Sequence, residues 1–171
     1  MKKIIAIFSA FITLFSFSAC SEKRSNISPL TKGITFTAEL TYYNEYYEGF
    51  VTVSDSGDMD IVITSPDTIK GLSFHFDKSG VTAKYLGLEY KYDTDALPEG
   101  IVCTNLYEII RDTQREDAAV IADKDDYFIL GNTGKIDYTM FVGATGLPIS
   151  AEDEKSGFKV GFKNVTVIPK N

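Results

Sequence analysis

The sequence predicts a mainly β (α+β) protein: a curved antiparallel sheet or incomplete β-barrel of about 9–11 strands, with one main helix packed on its concave apolar face. Apolar and polar residues alternate along most of the chain after Gly33, which is typical of strands with one buried face. Only the segment between about residues 98 and 116 has a helical period. A sheet with so large an apolar face must curl or be covered, and one helix on a curved sheet does both.

The first half of the domain is predicted to be a meander of about five antiparallel strands with short connections. Turns are expected at Asn44-Glu45, Asp55 to Asp58, Pro66-Asp67 and Asp77 to Gly80, because these residue types favour turn conformations. The apolar sets are Ile34, Phe36, Ala38, Leu40 and Tyr42; Tyr47, Val51 and Val53; Met59, Ile61 and Ile63; Leu72, Phe74 and Phe76; and Val81, Ala83, Tyr85, Leu88, Tyr90 and Tyr92. The last set is assigned to one strand.

One amphipathic helix follows the meander, and further strands follow the helix. Leu106, Ile109 and Ile110 form the apolar stripe of this helix. Asn105 with Glu108 fits a capping box at its start. Strand patterns then resume over Ala118 to Ala122, Tyr127 to Leu130, Ile136 to Val142, Ile149 and Phe158 onward. Beyond Asn164 the apolar phase slips by one residue, which predicts a β-bulge or bend there.

The start of the chain has the parts of a secretory signal. Lys2 and Lys3 precede an apolar run from Ile4 to Ala19 that is shorter than the roughly 20 residues of a membrane-spanning helix. Phe17-Ser18-Ala19-Cys20 ends this run and resembles the lipobox of bacterial lipoproteins. The resemblance implies that residues 1–19 are a signal peptide and that Cys20 carries a diacylglycerol anchor. Such a protein is held at a membrane surface in the bacterial cell envelope, on the extracytoplasmic side, on the cell membrane or on the outer membrane if the host has one.

The rest of the chain is predicted to be one domain on a short tether. Residues 20–32 are the lipid anchor and a polar tether, and residues 33–171 form a single domain. Without Lys2 and Lys3, the chain has 15 basic and 24 acidic residues, a net charge of −9. Such a surface repels phosphate backbones, so no nucleic-acid partner is expected. Cys103 then has no intramolecular disulfide partner, and its apolar neighbours predict a buried thiol.

The predicted domain resembles the LolA/LolB-type lipoprotein carrier fold, an incomplete antiparallel barrel wrapped round helices. The residues behind the resemblance are the strand run from Ile34 to Tyr92, the central helix, and Thr145-Gly146-Leu147-Pro148-Ile149 leading into Phe158 to Asn164. The resemblance implies a groove for a lipid or another amphiphile. Residues 21–32 are too short and broken to supply the N-terminal helix that this family usually has.

Patterns typical of catalysis are missing from the sequence, so no enzyme and no cofactor are expected. His75 is the only histidine, and its strand phase places it opposite the apolar face. A zinc site lacks ligands. The acidic turns Asp55/Asp58/Asp60 and Asp123/Asp125/Asp126 offer hard oxygens for calcium but lack the spacing of an EF-hand, and acidic hairpin turns are common.

Two functions remain in view at this point. The first is a carrier of a lipid or other amphiphile, with a hydrophobic groove lined by Ile34, Phe36, Leu40, Val51, Val53, Ile61, Ile63, Leu72, Phe74, Phe76, Leu106, Ile109 and Ile110. The second is a non-enzymatic module that holds or activates an envelope protein near the membrane, through a tyrosine-rich edge or an exposed strand. Candidate stacking residues for a ligand or partner are Tyr42, Tyr43, Tyr46 and Tyr47, which also suit cross-strand pairs.

Overall fold

The computed structural model describes residues 33–93, 102–115, 118–124 and 126–169. The predictions for the leader, Cys20 and the tether lie outside these ranges. The elements are, in chain order, β1 Ile34–Tyr42, β2 Glu45–Val53, β3 Met59–Ser65, a 3-10 turn at Asp67–Ile69, β4 Ser73–Asp77, β5 Gly80–Tyr85, β6 Leu88–Tyr92, α1 Val102–Thr113, β7 Ile121–Asp123, β8 Asp126–Asn132, β9 Asp137–Val142, β10 Pro148–Asp153 and β11 Phe158–Val167. This composition confirms the mainly β class.

All of these strands form one antiparallel sheet of eleven strands, in the order β6-β5-β4-β3-β2-β1-β11-β10-β9-β8-β7. The first and last strands of the chain, β1 and β11, pair in the middle of the sheet. Within the described ranges, β6 and β7 are the two edges and do not pair with each other. The sheet is therefore open, as an incomplete barrel requires.

The sheet curves around α1. The helix packs against β1, β8 and β11, and its Tyr107 ring stacks on Phe76 of β4 with centroids 4.8 Å apart. In a flat sheet, β4 and β8 are seven strand spacings apart and would lie roughly 34 Å from each other at about 4.8 Å per spacing. A helix is only about 10 Å wide, so it reaches both strands because the sheet bends towards it.

The core lies between the concave face of the sheet and the apolar side of α1. Ile34, Phe36, Ala38 and Leu40 of β1 are fully buried and alternate with partly exposed residues. The helix contributes Leu106, Ile109 and Ile110, all at 0% exposure. The strand and helix periods in the sequence thus produce one shared core, as predicted. Across the described parts of the chain, no helix has the length and apolar character needed to span a bilayer.

The predicted irregularity at Asn164 is present. The β1–β11 register shifts between Thr35 and Thr37, where Thr35 pairs with Thr166 but Thr37 pairs with Lys163. Asn164 has a φ of 54°, in the left-handed region. The extra residue on β11 shifts the alternation by one position, so Val165 and Val167 pack against the core although they are out of phase with Phe158 and Phe162 in the sequence.

Four local predictions were wrong. The turn predicted at Asn44-Glu45 lies one residue earlier, at Tyr43 and Asn44, because Glu45 already begins β2 and pairs with Tyr42. The single strand predicted from Val81 to Tyr92 is a hairpin, with a two-residue turn at Leu86 (φ 50°) and Gly87 (φ 81°). The expected capping box does not start the helix, because α1 begins at Val102 and Asn105 already lies inside it. Between Ala118 and Ala122 only the last two residues belong to a strand, since β7 begins at Ile121.

Candidate functional site

The predicted groove residues form the packed core between the sheet and α1. Leu72 and Phe74 are half-buried at its margin. The other eleven are at most 2% exposed: Ile34, Phe36, Leu40, Val51, Val53, Ile61, Ile63, Phe76, Leu106, Ile109 and Ile110. Aromatic packing fills the middle of the concave face, with the rings of Phe36 and Phe162 only 4.9 Å apart. Space for a ligand must therefore lie at the ends of the core.

One such space is an apolar pocket of about 200 Å³, where the first turn of α1 meets the β1–β2 hairpin and the segment between β3 and β4. We call it the end pocket. Its lining residues are Tyr42, Tyr47, Ile63, Ile69, Leu72, Phe74, Val102 and Cys103. None of these side chains carries a charge at neutral pH, so the pocket favours an apolar group.

The wall between β3 and β4 is built by local backbone hydrogen bonds. The Ile69 amide donates to the Pro66 carbonyl at 3.2 Å and closes the 3-10 turn. The Gly71 amide donates to the Ile63 carbonyl at 2.9 Å, which holds the segment against the end of β3. The Tyr85 hydroxyl donates to the Thr68 carbonyl at 2.9 Å. These bonds hold Ile69 and Leu72 in the wall of the end pocket.

The hairpin between β1 and β2 divides its tyrosines between two environments. Tyr43 and Asn44 form the turn with positive φ angles of 48° and 66°. Tyr42 and Tyr47 lie on the concave side and line the end pocket. Tyr43 and Tyr46 are 73% and 50% exposed. Strand alternation therefore gives the pocket two ring walls and leaves two rings at the surface of the same hairpin.

Cys103 contributes a thiol to the end pocket from the first turn of α1. The residue is 2% exposed, and burial raises the pKa of its thiol to about 12. A thiol with such a pKa stays protonated at physiological pH, and the thiolate is the reactive form. Cys103 thus lines the pocket as a small apolar group.

The other end of α1 is polar. A depression of about 380 Å³ is lined by Glu108, Arg111, Asp112, Arg115, Asn132 and Thr133. Glu108 pairs with Lys135 at 3.5 Å. Asp112 accepts a hydrogen bond of 2.8 Å from the Tyr138 hydroxyl. Charges of both signs balance one another here, so this depression shows no preference for an anion or a cation.

The convex face of the sheet carries His75. Its Nδ1 lies 2.8 Å from an Asp60 carboxylate oxygen, and its Nε2 lies 3.6 Å from one of Asp77.

Asp55, Asp58 and Asp60 come from the turn before β3 and its first residues, whereas Asp125 of the second acidic turn lies outside the described residues. Within the described ranges, no three histidine, cysteine, aspartate or glutamate residues are grouped to hold a metal ion.

Sequence reasoning missed Ile69 and Val102 as lining residues. Ile69 lies in the connection after Pro66-Asp67, and this sequence predicts only that the preceding strand ends there. Val102 and Cys103 precede the apolar stripe of α1. The signal that marks them is their apolar character in segments flanked by polar residues, but their meeting with Tyr42 and Tyr47 depends on tertiary packing.

No protein-family model matches this chain, and no curated protein matches it. The chain resembles several solved structures. An uncharacterized conserved protein from Thermus thermophilus is 11% identical, with a TM-score of 0.46 over 83% of this chain and 82% of that one. A DUF1329 family protein from Desulfovibrio piger is 12% identical, with a TM-score of 0.44 over 80% and 85%. A LolA superfamily protein from Nitrosomonas europaea is 9% identical, with a TM-score of 0.37 over 88% and 90%.

Proposed function

We propose that this chain is an extracytoplasmic lipoprotein that binds the apolar part of a lipid or another amphiphile in the end pocket. The observation that carries the proposal is the uncharged lining of a pocket open at the edge of a closed core. Tyr42 and Tyr47 supply aromatic walls on one side, and Ile63, Ile69 and Leu72 supply aliphatic walls. An apolar group gains free energy by leaving water for such a lining.

The size of the pocket limits what enters it. Its volume of about 200 Å³ is below the roughly 300 Å³ at which pockets for whole small molecules begin. It exceeds the roughly 150 Å³ of an apolar cavity that accepts benzene. The pocket thus holds the end of an acyl chain or one ring, and the remainder of the ligand stays outside.

The affinity expected from this volume is weak. Burying about six methylene groups contributes about 5 kcal/mol, equivalent to a dissociation constant on the order of 0.2 mM. A site of this strength releases its ligand quickly. Weak binding suits a protein that takes up and returns lipid at a membrane surface, where the local lipid concentration is high.

The membrane anchor in this proposal is the lipobox cysteine, Cys20. Twelve residues, 21–32, separate Cys20 from the described domain, and a chain of that length reaches at most roughly 40 Å. Anchored in this way, the domain stays beside the membrane on the extracytoplasmic side. The variant Cys20→Ala tests this part separately: the protein should leave the membrane fraction of expressing cells, and membrane retention would contradict the anchor.

The binding experiment compares two tryptophan substitutions. Leu72→Trp fills the end pocket, whereas Val62→Trp adds the same ring on the convex face, where Val62 is 42% exposed. Binding of dansyl-labelled undecanoic acid, followed by fluorescence, should weaken at least tenfold in Leu72→Trp and remain unchanged in Val62→Trp. Equal affinity in both variants and the unsubstituted chain would overturn the proposal.

A second candidate function is supported by the exposed rings of Tyr43 and Tyr46. Exposed tyrosines are common anchors of protein interfaces, so this hairpin suits an envelope protein partner. Pull-down from envelope extract with the unsubstituted chain and with Tyr43→Ala/Tyr46→Ala separates the two candidates. A protein retained only by the unsubstituted chain supports the partner function, and identical retention contradicts it.

A further inference from the structure

The strand β6 is an edge with exposed side chains on both of its faces. All five residues from Leu88 to Tyr92 are exposed. Among the described residues, β6 pairs with β5 alone. The free side of such a strand offers unpaired backbone groups to another strand.

The turn between β5 and β6 determines which backbone groups these are. Tyr85 and Leu88 flank the two-residue turn and pair with each other. In a hairpin of this length the flanking residues form a hydrogen-bonded pair, and bonding then alternates along the strand. Leu88, Tyr90 and Tyr92 therefore bond towards β5. The amides and carbonyls of Glu89 and Lys91 point away from the sheet.

The side chains of β6 separate by face. Leu88, Tyr90 and Tyr92 continue the concave face and are 59%, 55% and 44% exposed. The Tyr90 and Tyr92 rings stack with centroids 6.5 Å apart. Glu89 and Lys91 lie on the opposite face, and Glu89 pairs with Lys84 of β5 at 3.2 Å. An apolar row and two opposite charges thus share five residues.

We propose that β6 pairs with the β6 strand of a second copy of this chain, antiparallel and centred on Tyr90. In that register Glu89 lies opposite the partner's Lys91, and Lys91 lies opposite the partner's Glu89. These are also the residues whose backbone groups point outward, so each pair closes two hydrogen bonds. On the other face, Leu88 packs against the partner's Tyr92. The strand is complementary to itself in charge, hydrogen bonding and apolar contact, as a two-fold interface requires.

Neighbouring registers lack this complementarity. An antiparallel pairing centred on Glu89 places two carboxylates directly opposite each other, and one centred on Lys91 does the same with two ammonium groups. Like charges directly opposite destabilise a strand pair. The charges of β6 therefore select the register centred on Tyr90. This inference does not rest on the lipid-binding function, because the end pocket lies elsewhere on the concave face.

A charge-swap series tests the pairing in the full chain, with sedimentation equilibrium in detergent as the measurement. Glu89→Lys and Lys91→Glu each place like charges opposite one another and should each raise the dimer dissociation constant about tenfold. The triple variant Lys84→Glu/Glu89→Lys/Lys91→Glu should dimerise like the unsubstituted chain, because the change at Lys84 also restores the pair that residue 89 makes within the hairpin. An equal mixture of the two single variants should form a mixed dimer. All variants share the leader, so an effect of the leader cancels.

If the unsubstituted chain is monomeric in this measurement, the proposal is overturned, and the aromatic side chains of β6 would contact a different partner. Single variants that dimerise as well as the unsubstituted chain also overturn it.

Disulfide trapping tests the register independently, in a Cys20→Ser background. Opposed Tyr90 positions lie about 4.5 Å apart between Cα atoms, within the range of a disulfide. Tyr90→Cys should therefore cross-link two copies on mild oxidation. Leu88→Cys is the control, because the two Leu88 positions lie roughly 14 Å apart in this register. Equal cross-linking of both variants, or of neither, contradicts the register.

Discussion

The ring of Tyr138 on β9 lies across Gly131 on β8, so closely that a Cβ built on Gly131 would stand 2.2 Å from the ring carbon Cζ. The ring passes over the glycine towards α1, where its hydroxyl donates to Asp112 at 2.8 Å. The absent side chain at Gly131 is thus what allows Tyr138 to join the sheet to the helix.

Substituting Gly131 should displace this ring. Gly131→Ala puts a methyl group where ring atoms now lie, and overpacking of this kind lowers the free energy of unfolding by about 1–3 kcal/mol. Gly143→Ala is the matched control, since the nearest atom to its added Cβ is 3.8 Å away, and it should change stability by less than about 0.5 kcal/mol. Urea denaturation measures both. If Gly131→Ala lowered the free energy of unfolding no more than Gly143→Ala does, the Tyr138 ring would be free to move aside.

Removing the Tyr138 hydroxyl tests the connection to the helix directly. Tyr138→Phe keeps the ring over Gly131 but leaves Asp112 without this donor. A hydrogen bond to a charged acceptor is worth about 1.5–3 kcal/mol, so unfolding by urea at neutral pH should require that much less free energy. Tyr127→Phe is the control, because Tyr127 is half-buried on the neighbouring strand, and it should cost less than half as much. If Tyr138→Phe left the free energy of unfolding unchanged, water would be replacing the hydroxyl as the donor to Asp112 at no cost in stability.

The same tyrosine predicts an alkaline loss of stability. Burial, then the hydrogen bond and negative charge of Asp112, raise the pKa of Tyr138 above its ordinary value of 10.0. The unfolded chain therefore ionises first as the pH rises. The stabilisation is present below pH 10 and is lost above it, by up to about 1.4 kcal/mol per pH unit. Tyr138→Phe lacks this slope, so its stability should approach that of the unsubstituted chain between pH 10 and 11. Parallel curves would contradict the raised pKa.

The fold could be predicted from the sequence because the alternation of apolar and polar residues along a strand is a local property. Ile34 to Leu40 alternate in the sequence as they do in burial, and the phase slip after Asn164 marked a real bulge. The same kind of slip occurs between Tyr85 and Leu88, where the prediction of a single strand is wrong: both residues face the concave side, and Leu86-Gly87 turns the chain between them. A change of phase at a glycine is thus as informative as a run of turn residues.

The end pocket could not be derived in this way. Its walls come from the 3-10 turn at Ile69, the first turn of α1 and the β1–β2 hairpin, which are far apart in sequence. Sequence patterns marked Tyr42 and Phe74 as facing the concave side. Whether a residue on the concave face contacts α1 or open space depends on where the helix begins. The sequence predicts a helix cap at Asn105, but the helix begins three residues earlier, at Val102.

The helix should contribute strongly to stability through Leu106, which is 0% exposed against the sheet. Leu106→Ala leaves a cavity and should lower the free energy of unfolding by about 2–5 kcal/mol. Arg111 is exposed on the other side of the same helix, so Arg111→Ala should change it by less than about 0.5 kcal/mol. Urea denaturation followed by circular dichroism separates them. A loss below 1 kcal/mol in Leu106→Ala would mean that the sheet closes over the vacated space.

Asn164 provides a test of the bulge that breaks the register of the two central strands. Its φ of 54° lies in the left-handed region, which asparagine and glycine tolerate and β-branched residues do not. Asn164→Gly should leave stability within about 0.5 kcal/mol, and Asn164→Val should lower it by about 1–2 kcal/mol. The side chain is exposed, so lost packing does not confuse the comparison, and urea denaturation measures both variants. If valine were as stable as glycine, the bulge would not be fixed at this residue, and β11 would reach its change of phase by another route.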